Sequence, residues 1–132
     1  MINIAIFDNE YSTCGQVETY VLNYIQKTNK PVSVEVFFNG EDLLKYISLE
    51  KCIDMVILFT SSKPGGLEIG KQIRTQMKDH LTQLVFIADN SDNALDYFQL
   101  HPLHFITQPV SEALLYECIE KAEMISNHFR AA

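Results

Sequence analysis

Five short apolar runs, each followed by a stretch of helical periodicity, constrain this chain more than any other feature. Residues 2–7, 32–38, 53–59, 84–87 and 103–107 are rich in β-branched and aromatic side chains and read as strands. Between them, 11–27 places Cys14, Val17, Val21 and Tyr24 at near-helical spacing, and 41–47 gives a short helix. A third helix starts after Pro64-Gly65-Gly66 and runs to about residue 77; a fourth covers roughly 92–100. The last, 111–128, should bury Leu115, Cys118, Ile119, Ala122 and Ile125 behind an N-cap at Ser111. Strands and helices that alternate in this way form a parallel sheet covered on both faces, with right-handed crossovers. The 53–59 run is apolar almost throughout, which suits a central strand. The expected fold class is α/β: a flavodoxin-like, doubly wound, five-stranded parallel sheet of order 2-1-3-4-5. One domain covers 1–128, and 129–132 begins a linker or tail. In such sheets the functional crevice lies at the carboxyl ends of the strands, which directs attention to 8–10, 59–62, 88–90 and Gln108.

Bulk properties narrow the function. The 132 residues suit one domain, and 47% hydrophobic content supplies a core. No apolar run approaches the ~20 residues that cross a bilayer, and the N-terminus lacks the basic start of a signal peptide, so a cytoplasmic location is expected. A net charge of −7 argues against nucleic-acid binding by this domain itself. Lys71, Arg74 and Lys78 share i, i+3, i+7 spacing and read as an ordinary solvated face. Cys14, Cys52 and Cys118 are odd in number and widely spaced, as buried thiols of a reducing compartment would be. His101 and His104 have no cysteine near them to complete a zinc site. The loop 60–66 lacks P-loop spacing and reads as a turn, with an anion cradle as the weaker alternative.

Several segments in the right order then resemble one family. Ile4-Ala-Ile-Phe-Asp8-Asn9-Glu10, Asn93-Ala-Leu-Asp-Tyr-Phe98 and Phe105-Ile-Thr-Gln108-Pro109 resemble the first strand and acidic loop, the fourth helix and the fifth strand of response-regulator receiver domains. The likeness to these CheY-like domains covers essentially the whole chain. Its texture is closest to receivers that precede LytTR-type DNA-binding domains.

That resemblance implies a phosphorylation site, and the site is degenerate. Receiver chemistry needs a carboxylate nucleophile at the end of the third strand and further carboxylates for Mg²⁺. It also needs a lysine to balance charge and a hydroxyl to read the phosphate. By position, the nucleophile maps to Phe59, the second metal-binding acid to Asn9, the hydroxyl to Ala88 and the lysine to Gln108; only Asp8 keeps its type. The resemblance therefore implies a pseudo-receiver rather than an enzyme, with no cofactor and no metal. Phe59 is expected to plug the vacated space.

The family's output face is the fourth helix, fifth strand and fifth helix. Here it would carry Phe105, which matches the aromatic that rotates on activation, with Tyr97, Leu100, Leu103, His104 and Tyr116. A homodimer or a partner protein is expected there, with DNA reached only through a C-terminal domain absent from these residues. The chain then reads as the regulatory part of a LytTR-type transcription regulator. The alternatives are a small-molecule sensor using the altered pocket, or a stand-alone adaptor. An enzyme on the same fold finds no nucleophile–base pair or flavin loop to support it.

Overall fold

The five apolar runs pair as one parallel sheet of order β2-β1-β3-β4-β5, the expected fold class. The structure, a computed structural model, describes residues 2–8, 11–50, 53–60 and 65–131. Chain order is β1 (Ile2–Phe7), α1 (Tyr11–Thr28), β2 (Val32–Phe37), α2 (Gly40–Glu50), β3 (Met55–Phe59), α3 (Gly66–Thr75), β4 (Gln83–Ala88), α4 (Ala94–Phe98), β5 (His104–Thr107) and α5 (Glu112–Ala131). All five β3 residues are buried, because β3 lies between β1 and β4 with helices on both sides. Register places Ile57 beside Ile6 on one side and Val85 on the other.

Alternation along each strand sorts the core into two layers. Met55, Ile57, Phe59, Val85 and Ile87 pack with Cys14, Val17, Val21 and Tyr24 of α1 and with Leu115, Cys118, Ile119 and Ala122 of α5. Val56, Leu58, Leu84 and Phe86 pack with Leu43 of α2, Ile69 and Ile73 of α3, and Tyr97 of α4. Ile125, expected in the core, is only half-buried. Two glycines let α3 lie close: a Cβ on Gly66 would sit 2.8 Å from the Phe59 carbonyl oxygen, and one on Gly70 would sit 2.8 Å from the Phe86 ring.

Helix ends follow local chemistry. Asn39 Oδ1 accepts the Glu41 N–H at 2.7 Å and starts α2. Ser111 Oγ accepts the Leu114 N–H at 3.2 Å, the cap expected from sequence. The fourth helix is shorter than expected. A turn through 91–93 holds back its start, and Pro102 forbids continuation beyond it. The last helix is longer than expected and continues past 128 to Ala131. No described helix is long and apolar enough to cross a membrane.

Candidate functional site

At the carboxyl end of the sheet, register brings Asp8, Phe59, Ala88 and Gln108 side by side. Asp8 follows β1, is 1% exposed, and donates its N–H to the Phe37 carbonyl at 3.1 Å. Phe59 ends β3 opposite Ile87 and is 2% exposed, in one cluster with Cys14 and Val17. Buried Ala88 ends β4 and accepts the Gln108 N–H at 2.9 Å. The Gln108 side chain reaches outward, donating from Nε2 to Asp89 Oδ1 at 3.4 Å, and the Gln108–Pro109 peptide is cis. Asn9, residues 61–64 of the following loop and Cys52 lie outside the described residues. Among the described residues, one opening of about 150 Å³ at this end is lined by Thr60, Ala88, Asp89, Asn90, Asn93 and Tyr97. Burial, seconded by the Asp8 charge, pushes the Cys14 thiol up.

The donor set at these positions does not fit Mg²⁺. A hard cation wants several oxygens in near-octahedral array. Phe59 and Ala88 offer no side-chain oxygen, and Gln108 turns to Asp89. Among the described residues no three of His, Cys, Asp and Glu converge to hold a metal.

On the α4–β5 side, two of the named residues turn inward. Tyr97 and Leu100 are buried. Tyr97 links Phe86 and Phe105, with ring centroids 4.9 and 5.1 Å away. Phe105 is half-buried and also meets Phe98, at 6.2 Å. Leu103 is half-buried against the α1–α5 layer. His104 is half-buried too, its Nδ1 lying 3.2 Å from the Phe105 carbonyl. Tyr116 lies on the α1 side of α5, edge-on to Tyr24 at 5.3 Å and beneath Lys27. The side chains that α4 presents outward are Leu95, 78% exposed, and Phe98, 51% exposed. Sequence reading passed over both. The signal was there: Leu95 and Phe98 form one i, i+3 pair, Tyr97 and Leu100 another, and a helix on a sheet buries only one.

Among the described residues, most buried polar side chains gather at the amino end of the sheet. Besides Asp8, the buried polar or charged residues among those described are Asp54, Arg74 and Thr82, all at this end. Asp54 precedes β3; its carboxylate accepts the Asn3 N–H at 2.8 Å and the Ser126 hydroxyl. Arg74, expected on a solvated face, is buried. Its Nε donates to the Leu100 carbonyl at 2.8 Å, Nη1 to those of Asp79 and Thr82 at 2.9 and 2.8 Å, and Nη2 to His101 at 3.4 Å. Desolvating a guanidinium costs several kcal/mol, which these charge-assisted bonds, worth roughly 1.5–3 kcal/mol each, offset when all are present. Burial draws the Arg74 pKa down, and the Asp79 charge works against that. Lys78 misses the shared face because the chain turns into the left-handed region there, at φ 53°.

Burial disfavours the ionised form of Asp79, yet its pKa is lowered. The Thr82 hydroxyl at 2.5 Å, the N–H groups of Thr82 and Leu81, and the Arg74 charge outweigh the burial. A groove of about 760 Å³ opens beside this network, with Ile47, Ile53, Met77, Asp79, Thr82 and Ile125 in its wall.

No protein-family model matches the chain, and no curated protein matches it. Solved structures do match. The response regulator receiver domain protein of Clostridium thermocellum superposes with a TM-score of 0.80 at 16% identity, over 100% of both chains. The response regulatory domain of protein mrkE from Klebsiella pneumoniae gives 0.78 at 18% identity, over 96% of this chain and 99% of that one. The Vibrio cholerae chemotaxis protein CheY4 gives 0.76 at 14% identity, over 92% and 98%. Together with the sheet order 2-1-3-4-5, these matches give the chain the fold of the response-regulator receiver domains.

Proposed function

We propose that this chain is a pseudo-receiver: a signalling domain on the receiver fold that works through protein contact and not through an aspartyl-phosphate cycle. One observation carries the reading. The residue at the end of β3, where phosphoryl transfer needs a carboxylate, is a phenylalanine packed into the core at 2% exposure. Phe has no lone pair to attack phosphorus, and its burial leaves no room there for a phosphoryl group.

The contact surface is the α4–β5–α5 face, with Leu95 and Phe98 as its apolar anchors beside half-buried Phe105. Exposed aromatic and aliphatic side chains of this kind are what association buries. A second copy of the chain is the proposed partner. Sedimentation of the wild type against Phe98→Ser and Leu95→Ser tests this. The expected result is weaker self-association with unchanged thermal stability; monomeric wild type would remove the homodimer.

Segment texture further supports the domain as the input half of a LytTR-type transcription regulator. An immunoblot band near ~28 kDa, the mass of two ~120-residue domains, supports that extension. A band near 15.1 kDa turns the reading to a stand-alone adaptor.

A further inference from the structure

We propose that Arg74 is a latch that sets the position of α4, and with it the Leu95–Phe98 face, from the amino end of the sheet. The proposal rests on the reading of that face as the contact surface. One guanidinium closes two helices at once. Its bonds to Asp79 and Thr82 hold the connection that leaves α3, and its bonds to Leu100 and His101 hold the turn that ends α4. Four of the five guanidinium donors would otherwise need water.

Both held turns contain a non-glycine residue in the left-handed region: Lys78 at φ 53° after α3, and His101 at φ 53° after α4. Such residues persist where their surroundings over-determine them. Arg74 binds the His101 carbonyl itself and that of Asp79, next to Lys78. With five residues, α4 is too short to hold its own shape in water. Its inward attachments are the Tyr97 ring on Phe86 and Phe105, and Leu100 against Gly70. Gly70 and Arg74 lie one turn apart on α3, so a single helix face both admits the end of α4 and ties it down.

At the other end of the sheet Ala88 offers no hydroxyl, and among the described residues Arg74 is the side chain that hydrogen-bonds the end of α4. Asp79 and Thr82, which supply two of its acceptors, also line the 760 Å³ groove. A displacement of that wall therefore moves half of the latch, and α4 responds to events at the amino end.

Amide hydrogen exchange on Arg74→Lys and Arg74→Met, with Lys71→Met as a charge control on the exposed side of α3, tests the latch. Lysine keeps the charge and loses the planar fork. Exchange in 76–83 and 94–107 should quicken about tenfold or more in both Arg74 variants, while 2–7 and 55–59 stay within about twofold of the wild type. Lys71→Met should change nothing. Uniform acceleration across the sheet, or none at all, overturns the proposal; if Arg74→Met fails to fold, Arg74→Lys decides alone. Self-association measured on the same samples separates the two ideas. Localised exchange with unchanged association keeps the latch and removes the contact-face reading. Weakened association with unchanged exchange does the reverse.

Discussion

The two ends of this sheet divide polarity unequally. At the carboxyl end, where the resemblance to receivers implies carboxylates and a lysine, the described residues place Asp8 beside Phe59 and Ala88, with one opening of about 150 Å³. At the amino end, Arg74 and Thr82 are buried in a hydrogen-bonded network beside a groove of about 760 Å³, and Asp54, buried in the same groove wall, is held by Asn3 and Ser126. Buried charge is expensive and survives only where bonds replace its water. At the carboxyl end, Phe59 and Ala88 carry no side-chain oxygen. Buried charge at the amino end ties α3, α4 and the loop before β4 into one unit. On the proposed reading, the difference sets the polar ties that position α4 apart from the carboxyl-end positions where phosphoryl transfer would need a carboxylate.

The comparison breaks most severely at Phe59. Phe59→Asp removes a packed ring and sets a second carboxylate beside Asp8, so it should cost at least about 3–5 kcal/mol in denaturant titration. A variant of unchanged stability that bound Mg²⁺ tightly would show that the ring is not what closes this end.

At the amino end, Ser126→Ala deprives Asp54 of a hydroxyl donor and should cost about 1–3 kcal/mol by the same titration, since the carboxylate stays buried. An effect near zero would make the Ser126–Asp54 bond dispensable. Asp79 sharpens the point through pH. Its folded pKa lies below the unfolded one, so its contribution is complete above the unfolded value near ~4 and is lost as pH falls through the depressed value. Asp79→Asn should therefore be less stable than wild type at neutral pH, with the gap closing on acidification. A gap that persisted in acid would assign the effect to shape, not to charge.

The smallest effect concerns reactivity. Burial pushes the Cys118 thiol to about 11 and raises Cys14 as well. Roughly a thousandth of Cys118 is thiolate at pH 8. Iodoacetamide should leave both unlabelled in the native protein and label both in denaturant, read by peptide mass. Rapid native labelling of Cys14 alone would show the carboxyl end opening around Phe59.

The strands were legible because each is a continuous apolar run, and buried parallel strands need nothing else. The places of Phe59 and Ala88 were legible for the same reason: each is the last residue of an apolar run, and a strand's last residue has a fixed place in the sheet. Arg74 was not. Its i, i+3, i+7 spacing with Lys71 and Lys78 looked like a solvated face, and spacing does not reveal carbonyls arriving from 79–82 and 100–101. The facing of α4 was also missed, since over 95–100 the pairs Leu95–Phe98 and Tyr97–Leu100 compete equally for the core. The amino-end groove involves α2, the residues before β3, the loop after α3 and the start of β4, and α5, which only the fold brings together.

The most direct test of the account is intact-protein mass after incubation with acetyl phosphate and Mg²⁺. The account predicts no phosphoryl adduct for the wild type, at any donor concentration that fully modifies a receiver retaining its aspartate. A stoichiometric, hydroxylamine-labile adduct would contradict it, because a carboxylate of this chain would then be carrying out the transfer that Phe59 cannot.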